Sequence, residues 1–93
     1  MKIKLFFNPE YSATSLWNEK GENLPYEYVP LSIELVKQLE DFDESIWSFV
    51  SDSNMTEQRK REIYENGLRL YNLVALELGA KYEVVENLDW IKP

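Results

Sequence analysis

An α+β fold is the class this chain predicts: one small antiparallel sheet packed against two antiparallel helices, in the order β, β, a third short β or loop, α, α, β. Three observations predict it. Ile3, Leu5 and Phe7 alternate with Lys2, Lys4 and Phe6, the period-2 pattern of a strand with one buried face. Two longer stretches, Leu35 to Val50 and Ile63 to Leu78, repeat apolar residues every three or four positions, the helical period. After Gly79, the run Tyr82-Glu83-Val84-Val85-Glu86 is rich in residues that suit a pleated surface.

Each element is bounded by its own punctuation. Asn8-Pro9 stops the first strand, and Ser15 to Asn18, centred on Leu16-Trp17, forms a short second one. The polar turn Asn18 to Asn23 supplies Gly21 for a positive φ and allows a hairpin into Asn23 to Tyr28. Pro25 and Pro30 donate no ladder hydrogen bond, so that segment is either a short edge strand or an irregular loop. Ser32 is a good N-cap for the first helix, Leu31 and Val36 are spaced as a hydrophobic staple, and Glu34 sits in the first turn. The stripe Leu35, Val36, Leu39, Phe42, Ile46, Phe49 and Val50 follows, ending at Ser51-Asp52-Ser53-Asn54. Thr56 caps the second helix, whose stripe is Ile63, Gly67, Leu70, Tyr71, Val74 and Leu78, and Gly79 suits the position after its C-terminus. A glycine inside a helix costs roughly 1 kcal/mol against alanine, so Gly67 marks close approach of the other helix or of a strand, unless it is a tolerated surface residue. Asn87-Leu88-Asp89 turns into the tail Trp90 to Pro93.

Composition narrows the function. The length of 93 residues allows one domain, residues 1–93. With 17 acidic against 10 basic residues the formal charge is −7, the wrong sign for direct binding of nucleic acid or an anionic membrane. The absence of Cys and His removes disulfides, thiol nucleophiles, thiolate or imidazole metal sites and the side chain that titrates near neutrality. No phosphate-loop, dinucleotide or metalloprotease motif is present. A binder is therefore expected, with no catalytic residue, no cofactor and no metal site. The apolar start ends at Asn8-Pro9, short of a signal-peptide core, and no stretch approaches the roughly 18 to 20 apolar residues of a membrane span. A cytoplasmic location is expected.

The charge is concentrated. Residues 32–53 hold six acidic side chains and one lysine, whereas residues 56–79 are neutral. Glu40, Asp41, Asp43 and Glu44 fall within five positions of the first helix, and at 100° per residue Glu40, Asp43 and Glu44 share a face. Trp47 lies one turn further on, Asp52 lies at the exit, and Tyr26 and Glu27, with Tyr28 beside them, are available from the preceding loop. Glu40, Asp41, Asp43, Glu44, Trp47, Asp52, Tyr26 and Glu27 form the expected partner-binding set, because carboxylates beside aromatic rings accept Arg and Lys side chains. A plain solvated face, or neutralisation by Arg59-Lys60-Arg61 across the helix pair, accounts for the same charges without a partner.

The order of short signals adds a resemblance. Leu16-Trp17 followed by Glu19 and Gly21, then Leu31-Ser32-Ile33-Glu34-Leu35, Leu39 and Trp47, then Gly67, Leu70, Leu76-Glu77-Leu78-Gly79 and Tyr82-Glu83-Val84, resembles small bacterial immunity proteins that accompany polymorphic toxins, including those of contact-dependent growth inhibition. The resemblance implies a protein that binds a cognate toxin, a basic nuclease domain, and blocks its active site or substrate groove. It transfers no residue roles, since immunity proteins diverge with their toxins. The residues alone also fit an acidic phage-type or host inhibitor of a nucleic-acid-binding enzyme, or a non-catalytic module that oligomerises through exposed aromatics.

Overall fold

A first strand, β1 (Ile3–Phe7), occupies the middle of a three-stranded sheet, flanked by β2 (Leu16–Trp17) and β3 (Tyr82–Glu86). The structure is a computed structural model that describes residues 2–93; Met1, with which the first apolar run begins, lies outside them. The alternation read from the sequence holds where the sheet is covered: Leu5 and Phe7 are buried, while Phe6 faces outward beneath the Lys4 ammonium, 5.6 Å from its ring centre. Ile3, at the open start of the strand, stays exposed.

The turn after β2 forms as its chemistry suggests. Gly21 takes φ 78°, and the Asn18 side-chain oxygen accepts the backbone N–H groups of Lys20 and Glu22, each at 2.9 Å. Pairing lasts for one bridge, Trp17 to Asn23. Beyond it the two prolines win, and Tyr26–Tyr28 closes as a single 3₁₀ turn instead of extending the hairpin.

The two helices, α1 (Ile33–Ser51) and α2 (Glu57–Leu78), start on the expected caps: Ser32 Oγ accepts from Leu35 N–H at 3.2 Å, and Thr56 Oγ1 from Arg59 N–H at 3.1 Å. Gly79 ends α2 at φ 73° while its N–H donates to the Ala75 carbonyl. The helices run antiparallel, and their outer ends are tied where Ser32 donates both its N–H (2.7 Å) and its hydroxyl (2.8 Å) to the Glu77 carboxylate. Their stripes meet over the sheet: Leu35, Leu39, Phe42 and Ile46 of α1 and Ile63, Leu70 and Val74 of α2 are all essentially solvent-free.

The α+β class is as expected, but the sheet is mixed instead of antiparallel. β3 runs parallel to β1, with Ile3 opposite Tyr82 and Phe7 opposite Glu86, whereas β2 runs antiparallel to it. The reason is geometric. An out-and-back helix pair returns the chain to the end of the molecule where α1 began, which is also where β1 starts, so the next strand must travel in the direction of β1. The tail also differs from a simple turn. Leu88 and Ile91, around a 3₁₀ turn at Asp89–Ile91, are buried and complete the core.

Gly67 is buried in α2 against the Phe42 ring of α1. A Cβ there would stand 2.9 Å from Phe42 Cζ and 3.3 Å from Leu88 Cδ2. The Phe42 ring is fully buried and stacks on Phe7 at 6.2 Å between centroids, so it has no free direction in which to move. Alanine at position 67 gains about 1 kcal/mol of helix propensity but meets overpacking of about 1–3 kcal/mol. We expect Gly67→Ala to lower the unfolding free energy by roughly 1 kcal/mol in urea melts, and the loss to vanish when Phe42→Leu shortens the ring opposite.

Candidate protein-binding site

Two segments stand across from α1 and make a cleft with it. The loop at Ser12 to Ser15 and the segment Asn23 to Glu27 are zipped together: Asn23 Nδ2 donates to the Thr14 carbonyl (3.0 Å) and to Thr14 Oγ1 (3.0 Å), and Thr14 Oγ1 donates to the Leu24 carbonyl at 2.6 Å. Thr14 and its neighbours thereby form one wall, and the α1 residues Val36, Glu40, Asp43, Glu44 and Trp47 form the other, enclosing about 580 Å³.

Six of the eight sequence-selected residues line this cleft: Tyr26, Glu27, Glu40, Asp43, Glu44 and Trp47. They divide into two kinds. Glu27, Glu40 and Glu44 are exposed along the rim, and Trp47 is 54% exposed with Tyr11 edge-on to its indole at 5.6 Å. Tyr26 and Asp43 face inward. The Tyr26 hydroxyl donates to Asp43 Oδ2 at 2.5 Å and accepts the Ser15 N–H at 3.0 Å, while the Ser15 hydroxyl donates to Asp43 Oδ1 at 2.7 Å. This triad clamps the loop wall to the helix wall and fixes the width of the cleft.

Burial dominates the chemistry of the triad. Loss of solvation pushes the Asp43 carboxyl from 3.8 up to about 6; the hydrogen bonds from Tyr26 and Ser15 oppose the shift, and the nearby Glu40 charge adds to it. The Tyr26 phenol is pushed far above its ordinary value, first by burial and then by the Asp43 charge. At neutral pH the cleft therefore carries the Glu27, Glu40 and Glu44 rim charges above a mostly ionised Asp43 floor. Among the described residues, no lysine or arginine lines it.

The remaining two selected residues lie elsewhere. Asp41, two positions and 200° of helix rotation from Asp43, is exposed outside the cleft. Asp52 ends α1, and its carboxylate accepts the Asn54 N–H at 2.9 Å in the interhelix turn. The basic run of α2 does not reach across to α1 through Arg59 or Lys60: the ion pairs of these two are Arg59 to Glu62 (3.8 Å) and Lys60 to Glu57 (3.6 Å), both within α2. Sequence reasoning missed Ser12, Ala13, Thr14, Asn23, Pro25 and Val36 as lining residues and Ser15 as a clamp member. The only available signal was the run of small polar residues Ser12-Ala13-Thr14-Ser15 before a strand, and nothing in its spacing ties it to a helix 28 positions later.

Among the described residues no helix is long and apolar enough to cross a membrane. A search of curated proteins found no match. The family model described as Serratia CdiI immunity protein-like matches residues 1–86, nearly the whole chain, and the protein therefore belongs to this family of immunity proteins against toxins of contact-dependent growth inhibition.

Proposed function

We propose that the cleft between α1 and the 12–27 segment is where the cognate toxin docks, and that the toxin presents a basic surface to it. The carrying observation is the rim of Glu27, Glu40 and Glu44 around a cleft edged by Trp47, with no cation in its lining among the described residues. Such a surface complements lysine and arginine side chains, and an indole beside carboxylates accepts a guanidinium both by charge and through its ring face. The basic surface is best accounted for by the substrate groove of a nuclease domain, where the glutamates stand in for phosphates. The protein then acts as a stoichiometric binder in the cytoplasm of the producing cell, covering the groove without performing chemistry.

The test is Glu40→Lys with Glu44→Lys. Both side chains are exposed, so the fold tolerates the change. Reversing two charges at a steered interface is expected to weaken toxin binding by roughly 100-fold and to flatten its salt dependence. Titration calorimetry at 50 and 300 mM salt reads both effects. An affinity within twofold of wild type would place the toxin on another face. A nuclease assay on the isolated toxin domain checks the chemistry separately, with activity expected to end at one equivalent of immunity protein.

A further inference from the structure

We propose that the toxin contact continues from the cleft onto a rigid aromatic ledge of Tyr11, Trp47, Val50 and Trp90, which receives an apolar side chain of the toxin beside the cation held in the cleft. This inference rests on the cleft reading above and adds a second contact to it. The four residues are 48%, 54%, 51% and 45% exposed, while the core beneath them is essentially solvent-free. They are also contiguous. Tyr11 touches Trp47 edge-on, and Tyr11, Val50 and Trp90 join Asn8 and Glu10 around a second hollow of about 430 Å³. Trp47 belongs to the cleft and Tyr11 to the hollow, so the two depressions share one aromatic border. Half-exposed apolar side chains gathered from three separate segments are what a monomeric surface avoids and a binding surface collects.

The ledge is held in place before anything binds. The Trp90 indole N–H donates to the Pro9 carbonyl at 2.9 Å, and its ring rests edge-on to Phe49 at 5.8 Å. The Trp17 indole N–H donates to the Asn8 carbonyl at 2.8 Å, and Asn8 N–H to the Ser15 carbonyl at 2.8 Å, so the loop that carries Tyr11 is fastened at both ends. Between these ties Ser12 takes φ 63°, a left-handed backbone that only glycine adopts freely. Strain of this kind persists where surrounding contacts enforce it, and here it lies next to the residue that the loop turns outward. Aromatic anchors fixed in advance lose little conformational freedom on binding.

Charge selects the occupant. Glu10 edges the hollow and Glu40 and Glu44 edge the adjoining cleft, so a second copy of this chain would bring like charges together. A toxin segment that carries an aliphatic or aromatic side chain flanked by lysine or arginine meets no such repulsion.

The experiment compares Tyr11→Ala and Val50→Asn with Leu76→Asn, an exposed apolar residue of α2 outside both depressions, in the full chain, using the purified cognate toxin domain, with Glu40→Lys/Glu44→Lys run in parallel and thermal unfolding as the control for folding. Tyr11→Ala and Val50→Asn are expected to weaken binding at least about tenfold with the salt dependence of wild type retained, and Leu76→Asn to keep full affinity. If both ledge variants bind within twofold of wild type while the cleft pair is weakened, the ledge proposal is overturned and the cleft reading stands. If the cleft pair binds as wild type too, both are overturned. A dimer of the free chain in sedimentation that Val50→Asn dissociates would assign the ledge to self-association and overturn the proposal as well.

Discussion

Phe42→Ala is expected to destabilise the protein by about 3–5 kcal/mol, the range for removing a fully buried aromatic ring. The ring lies where three elements converge: it stacks on Phe7 of β1, fills the space left open by Gly67 of α2, and is itself carried by α1. Its loss opens a cavity between the sheet and both helices, and little backbone can collapse into it because the helix ends are tied through Ser32 and Glu77. Small domains have only about 5–15 kcal/mol of stability, so the variant stands near its folding limit. At roughly 4–8 °C per kcal/mol for a domain of this size, the melting temperature falls by more than about 12 °C. Calorimetry reads the drop directly, and a shift below about 4 °C would mean that the ring is not the centre of the core.

The second large effect concerns Asp43. Asp43→Ala removes the acceptor of two hydroxyls, one on the buried Tyr26 and one on the buried Ser15, and is expected to destabilise the fold by roughly 2–4 kcal/mol at pH 7. Asp43→Asn keeps the shape and one acceptor, so its effect at pH 7 is expected to be small. The two differ from wild type in pH dependence. The folded carboxyl titrates at about 6 and the unfolded one at 3.8, so between these values the folded chain holds a proton that the unfolded chain has released. The stabilisation from this group is complete below 3.8 and is lost as pH rises through about 6. Wild type is therefore expected to gain stability relative to Asp43→Asn as pH falls from 7.5 to 4, on the order of 2 kcal/mol. Using the difference cancels the titration of the other carboxylates. Parallel urea stabilities across that range would show that Asp43 is not buried as described.

These two residues also show what a sequence discloses. Caps, apolar stripes and both special glycines of α2 were readable because each is decided within a few positions: Ser32, Thr56, Gly67 and Gly79 act where the local pattern places them. The same periodicity collected Glu40, Asp43, Glu44 and Trp47 on one helix surface, and the cleft does contain all four. It did not disclose that Asp43 turns inward. The hint was present, since Asp43 lies four residues after Leu39 and three before Ile46, both solvent-free, and thus at the seam of the buried stripe. What it meets there, Ser15 and Tyr26, comes from a loop whose path no local pattern sets. The parallel direction of β3 was hidden for the same reason: it follows from where an entire helix pair delivers the chain, and Val84 and Val85 look alike in either direction.

That pairing bears on when protection begins. Ile3 waits for Tyr82, nearly eighty positions later, before the central strand acquires its second neighbour. Contacts so distant in sequence close slowly and late. During synthesis the strand stays half-partnered until the residues of β3 have emerged, and nascent chains lacking them have an open sheet edge and no finished floor for the helices. Resistance to the toxin thus starts in steps of whole molecules, each contributing nothing until its two distant strands have met.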